Sequence, residues 1–322
     1  MMLRRSLLAA APTLLAAPAV RAQAAFPSRP IRLIVGFSPG GTTDVAARLM
    51  APKMQAVLGQ SVVIENRTGA GGNIATDHVV RSAPDGHTLL LGTIGALAIN
   101  PTLYGNLTFD PQTDLTPITR VAMILNVLAV PADRPWRSVA EVVAASKANP
   151  LTFGSSGSGG AGHLAGEQLN RMAGLNNIHV PYRGGGSLIT DLITGKVDFA
   201  FTPASGAGPH VEAGRLRMLA VTTRERSRLL PEVPAVSETP GLSEFDMADW
   251  SALMAPRGVP APILQALHRA ATAALTDEEI VAALARRQIE ATPSSPEDLA
   301  AFIRAETTKW APIVRASGAT PG

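Results

Sequence analysis

Two stretches of this chain could hold an anion without using a charged side chain. In the first, the apolar run Ile31 to Phe37 leads into Ser38-Pro39-Gly40-Gly41-Thr42-Thr43-Asp44, after which Ala46, Met50, Met54 and Val57 recur at helical spacing. In the second, Leu151 to Ser155 leads into Ser156-Gly157-Ser158-Gly159-Gly160-Ala161-Gly162-His163 and another helical stretch. A glycine-rich turn at a helix start exposes N–H groups that have no helical acceptor, beside the positive end of the helix dipole. In open α/β sheets such turns lie at the carboxyl ends of strands, where ligands bind. Two of them facing across a cleft would clamp an anion; taken singly, each is also what a tight turn requires.

Other chemistries fit less well. Gly157, Gly159 and Gly162 match G-x-G-x-x-G, but a dinucleotide site needs an acid at the end of the next strand. That strand, Ile178 to Tyr182, is followed by Arg183. Around Gly195-Lys196 a phosphate loop fails, because Val197 follows the lysine and Thr190 stands where the first glycine belongs. A G-x-S-x-G frame over Gly154-Ser155-Ser156-Gly157-Ser158 fails because Ser158 occupies its last position. His78, His87, His163, His179, His210 and His268 include no H-x-x-x-H pair, and the chain has no cysteine, so no metal site or cofactor is expected. His163, at a helix start, could cap and pack there or face a ligand. Tyr182 ends a strand, with its hydroxyl in reach of a cleft. Asp44 reads as support for its own helix N-terminus and Asp198 as a brace for a loop. A hydrolase using Ser156 or Ser158 with His163 would lack an acid to orient the histidine.

The elements that must position these turns alternate along the chain. Strand-like runs at Ile31–Phe37, Ser61–Glu65 and His87–Thr93 enclose helical stretches, a βαβαβ unit implying a mainly parallel sheet. Asn106 to Pro117 is polar and turn-rich, and Arg120 to Val130 reads as one long strand. A second alternating set follows, with strands at Leu151–Ser155, Ile178–Tyr182, Val197–Thr202 and Leu216–Thr222. Its helices are expected at Ser138–Ala148, Ala161–Ala173, Ser187–Thr194 and Ser205–Ala213. After a proline-rich loop and an apolar segment at Asp249–Leu253, the remainder reads as three helices. The last is capped by Ser295, with Pro296 at its first position and Leu299, Phe302, Ile303, Trp310, Ile313 and Val314 on one face. A helical tail without its own sheet must pack on a neighbour. If that neighbour is the first set, the chain crosses between lobes twice, near 120–130 and 243–253, and the crossings form a hinge over a cleft.

Composition limits the partners. The 322 residues are 46% hydrophobic and 16% charged, ordinary for a globular protein. The formal charge of +3 comes from the N-terminus: residues 1–24 carry Arg4, Arg5 and Arg21 and no acid, and without them 25 basic face 25 acidic residues. A neutral remainder argues against nucleic-acid binding. Met1 to Ser6, the apolar run Leu7 to Val20 and Ala22-Gln23-Ala24 have the anatomy of a cleaved secretory signal, and the run is too short and proline-broken to span a bilayer. With no cysteine there is no lipid anchor, so export to the periplasm without stable membrane insertion is expected.

The motifs, in this order, resemble the substrate-binding proteins of tripartite tricarboxylate transporters, the Bug family. The matching segments are Pro30–Asp44, Val62–Asn73, Pro84–Thr93, Gly154–Glu167, His179–Gly184, Asp191–Asp198, Leu219–Thr223 and Leu230–Pro234. The resemblance implies a type II periplasmic-binding-protein fold, an α/β Venus flytrap with two crossover segments. Residues 1–24 would be the signal, 25–125 with 248–322 the first lobe, and 126–247 the second. It implies a monomeric receptor that captures a small carboxylate and delivers it to membrane permease subunits, without catalysis. A sensory ligand-binding partner of a signalling protein is the alternative. The implied ligand-binding set is Phe37, Ser38, Gly40, Gly41, Thr42, Thr93, Ser155, Ser156, Gly157, Ser158, Gly159, His163 and Tyr182. The chain departs from the family pattern by a glycine within Ser158–Gly162 where threonine is usual, by Ala235 for threonine and by Ala252 for glycine. The missing hydroxyl bears on which carboxylate is held rather than on the class.

Overall fold

A computed structural model describes residues 26–182, 185–317 and 319; the signal segment and Arg183-Gly184 lie outside the described residues. The first sheet starts with β1 (Ile31–Val35), α1 (Thr42–Leu58), β2 (Val62–Asn66), α2 (Asn73–Val80) and β3 (Thr88–Thr93). The strands β2 and β3 flank β1 in parallel. Ile31, Leu33, Ile34 and Val35 are all buried, as a strand covered on both faces demands. A π-type turn, Gly95–Ile99, then runs into α3 (Asn100–Leu103).

The run expected as one strand over 120–130 is two strands in different sheets. β4 (Leu115–Ile124) belongs to the first sheet and β5 (Asn126–Pro131) to the second, with Leu125 between them. Both halves are apolar because both are interior, so composition carries no mark of the break. β4 also begins earlier than the polar stretch suggested.

The second sheet is completed by α4 (Val139–Ala148), β6 (Thr152–Ser155), α5 (Ala161–Ala173), β7 (Ile178–Pro181), α6 (Gly185–Ile193), β8 (Phe199–Pro203), α7 (Ala204–Glu212) and β9 (Leu216–Val221). The chain then returns as β10 (Asp249–Pro256), followed by α8 (Ala261–Leu275), α9 (Glu278–Ala285), β11 (Ile289–Ala291) and α10 (Pro296–Ala316). Strand order is β11-β4-β10-β3-β1-β2 in one sheet and β7-β6-β8-β5-β9 in the other.

Both sheets are mixed, not mainly parallel. β10 runs antiparallel to β3 and β4, and β5 antiparallel to β8 and β9. The crossing strands enter from the opposite lobe, which reverses their direction. The tail does carry a strand: β11 pairs with β4 and ties α8 to α10 onto the first sheet. The Ser295 hydroxyl caps α10 by accepting the Asp298 N–H at 3.0 Å. Leu299, Ile303, Trp310, Ile313 and Val314 of that helix are buried in an apolar cluster that also holds Phe153, Phe199 and Phe201 of the second lobe. The two lobes therefore share a core on one side and leave a cleft on the other.

Candidate functional site

The cleft is a cavity of about 430 Å³ bounded by both glycine-rich turns, the end of β3, α3 and the strand crossing. From the first turn, Phe37, Gly41, Thr42 and Thr43 line it. The positive φ of this turn is at Gly40 (+82°); Gly41, at −70°, is the residue preceding α1, and its N–H donates to Ser38 O. Ser38 and Gly40 are exposed and are not part of the lining. The Gly40 N–H donates to Asp44 Oδ2 at 2.8 Å, and Asn66 Nδ2 and Arg48 Nε donate to the same carboxyl. Burial pushes the Asp44 carboxyl up, but the donors outweigh it and hold it below the usual range. Asp44 thus fixes the turn from inside and leaves the outward N–H groups at the start of α1 to the cavity.

The second turn contributes Ser156, Gly157, Ser158, Gly159 and Gly160. Ser155 is fully buried beneath it: its hydroxyl donates to Gly157 O at 2.9 Å and is hydrogen-bonded with His179 Nε2 at 2.7 Å. His163 Nδ1 accepts the Gly159 N–H at 2.9 Å. The His163 and His179 rings stack at 3.7 Å with 6° between their planes. Burial lowers His163 to about 4 and His179 to about 3, the latter also through the neighbouring His163. Both rings are neutral supports behind the turn. With its Nδ1 committed to Gly159, His163 makes no hydrogen bond to Ser156 or Ser158 among the described residues, which leaves neither serine a base.

Tyr182 points away from the cavity lining, its hydroxyl donating to Asp191 Oδ2 at 3.1 Å. Asp198 braces β6, accepting from the Thr152 N–H and hydroxyl and from Arg134. Thr93 lines the floor, with Ile94 and Gly95 of the π-type turn beside it.

Several lining residues escaped the sequence. Gly71, Asn100, Leu103 and Tyr104 come from turns and the short α3; Asn100 Nδ2 donates to Gly71 O and Asn73 Oδ1. Ile124 and Asp249 come from the crossing itself, opposite each other in the β4–β10 register. Burial pushes the Asp249 carboxyl up to about 7, against the Asn126 amide and the Trp250 N–H. No Lys, Arg or His lines the cavity among the described residues. The arrangement can hold an anion by neutral donors. No group of side chains among the described residues could hold a metal ion.

Residues 46–319 match the family model for the tripartite tricarboxylate transporter family receptor. Protein BugT of Bordetella pertussis is 37% identical over 299 residues, spanning 91% of each chain. Two solved structures superpose closely. Rpa4515 of R. palustris with adipate has a TM-score of 0.83 at 35% identity, covering 92% of this chain and 100% of that one. MatC from Rhodopseudomonas palustris with bound malate has a TM-score of 0.79 at 30% identity, covering 90% and 100%.

Proposed function

This chain belongs to the tripartite tricarboxylate transporter receptor family, and on that premise we propose that it is a periplasmic receptor that captures a small carboxylate between its lobes and delivers it to a membrane permease. The carrying observation is that two glycine-rich helix starts face one cavity lined, among the described residues, by no cationic side chain. A carboxylate there accepts charge-assisted hydrogen bonds worth ~1.5–3 kcal/mol each, and each helix dipole adds roughly 0.3–1 kcal/mol. The adipate and malate held by the two structural relatives are carboxylates, which supports the same class here.

In this reading Phe37, Thr42, Thr93, Ser156, Gly157, Ser158 and Gly159 contact the ligand, while Asp44, Ser155 and His163 hold the turns in place. The lobes divide at the two crossings, near 125 and 248, and close on the ligand as a shift between open and closed populations. Export follows cleavage after Ala24, which makes the mature chain start at Ala25.

Calorimetry on the mature protein tests the anion clamp. The best binder from a thermal-shift screen of mono-, di- and tricarboxylates and amino acids is compared with its amide. The amide keeps the shape but turns an acceptor into a donor facing N–H groups. A loss of ~2–4 kcal/mol, about 30- to 1000-fold, is expected. Equal affinities would leave a cleft that selects by shape alone.

A further inference from the structure

Asp249 is out of place in a site built for anions. It opens β10 at the point where the chain crosses back into the first lobe, opposite Ile124, and both residues line the cavity. Among the described residues it is the one carboxyl in that lining, and no Lys, Arg or His lines the cavity with it. Nor does it form an ion pair elsewhere among the described residues. The groups that face it are neutral donors. The Trp250 N–H comes from its own strand and the Asn126 amide from β5. Asn126 is 2% exposed, and its Nδ2 has no hydrogen-bond partner among the described residues. Burial works against the ionised carboxyl, and no cation lining the cavity among the described residues offsets that cost.

A ligand enters this imbalance from one side or the other. A second carboxylate reaching the floor would bring two like charges into a cavity of about 430 Å³. A cationic nitrogen reaching it would complete a buried ion pair beside the unpartnered Asn126 amide. The turns and the floor thus differ in sign: neutral N–H groups at the helix starts, an uncompensated acid at the crossing.

We propose that the ligand is a carboxylate that also carries a cationic nitrogen, its carboxylate held at the two glycine-rich turns and its nitrogen paired with Asp249. This rests on the carboxylate reading above and makes Asp249 the residue that selects within that class. The nitrogen is an ammonium or a quaternary or ring cation; the shared feature is a positive charge within one small-molecule length of the carboxylate.

The test pairs amino-bearing acids with their deaminated and dicarboxylate counterparts by calorimetry on the mature protein. The probes are the proteinogenic amino acids, γ-aminobutyrate, δ-aminovalerate and glycine betaine, against chain-matched fatty acids and dicarboxylates. At least one nitrogen-bearing probe should bind ~10-fold or more tightly than its deaminated match. Asp249→Asn should level that difference by weakening the nitrogen-bearing probe; Asp249→Ser serves if the amide variant does not fold. A dicarboxylate bound best, with affinity kept or raised in Asp249→Asn, overturns this inference and leaves the carboxylate reading standing. Equal binding of an acid and its amide overturns the carboxylate reading itself. Failure of every carboxylate to bind at millimolar concentration overturns both.

Discussion

Leu103 of the first lobe lies against Gly159 of the second, so closely that a Cβ on residue 159 would stand 2.3 Å from Leu103 Cδ2. The contact closes one end of the cavity, and the glycine is required twice over. Its φ is +72°, in the left-handed region, and its bare Cα is what admits the leucine.

The two requirements separate in a pair of variants. Gly159→Ala should lower stability by ~1–2 kcal/mol through backbone strain and weaken ligand binding by ~10-fold or more by wedging the lobes apart. Adding Leu103→Ala should restore much of the binding without the stability, because the leucine tip yields and the φ does not. Urea denaturation and calorimetry read the two effects independently. A double variant no better at binding than the single one would detach Leu103 from closure.

The stacked pair His163 and His179 should make the protein acid-labile. Their folded values, about 4 and about 3, lie below the ordinary 6.5, so the unfolded chain takes up protons first. The stability they contribute is complete above about pH 6.5 and is lost as pH falls toward about 4 and then 3. The first proton alone gives a slope of up to ~1.4 kcal/mol per pH unit. His163→Gln with His179→Gln, which cannot titrate, should flatten the fall in melting temperature over that window. An unchanged slope would place the acid sensitivity in the carboxyls.

Glu306 should matter more by its acceptor than by its charge. One oxygen, Oε2, accepts the indole N–H of Trp250 at 3.0 Å and of Trp310 at 3.1 Å, all three residues being buried. Glu306→Ala strands both donors and should cost ~3–5 kcal/mol, the sum of two desolvation penalties and lost packing. Glu306→Gln keeps an acceptor but turns an amide toward Lys309, and should cost ~1–2 kcal/mol. Denaturant midpoints check the ranking; equal costs would mean that the charge, not the acceptor, is what the indoles need.

What was legible in the chain is what is local. The Ile31–Val35 strand, its glycine turn and the α5 segment Ala161–Ala173 are written in neighbouring residues, so pattern alone finds them. The break at Leu125 is not, because the residues on either side are equally apolar and only their sheet partners differ. Asp249 reads locally as the start of an apolar segment; it reaches the cavity because it pairs with Ile124, far away in the chain. Leu103 ends the four-residue α3 and Tyr104 follows it, too short a stretch for periodicity to betray them. His163 could be paired with Gly159 by spacing, but its stacking on His179 depends on how α5 packs over β6 and β7.

The position of β10 sets the order in which the molecule can be completed. It lies between β3 and β4, pairing Ser251 with Thr93 on one side and with Ala122 on the other. Until that strand is in place, β4 has no link to β3, and the first lobe is two fragments with open edges. All strands of the second sheet precede it in the chain, so the second lobe can assemble while the first still waits. Closing the first sheet means closing a loop that contains an entire lobe, a long-range step that slows folding more than it affects stability. The lobe that starts first finishes last, and until β10 arrives the edges of β3 and β4 that it will join stay open.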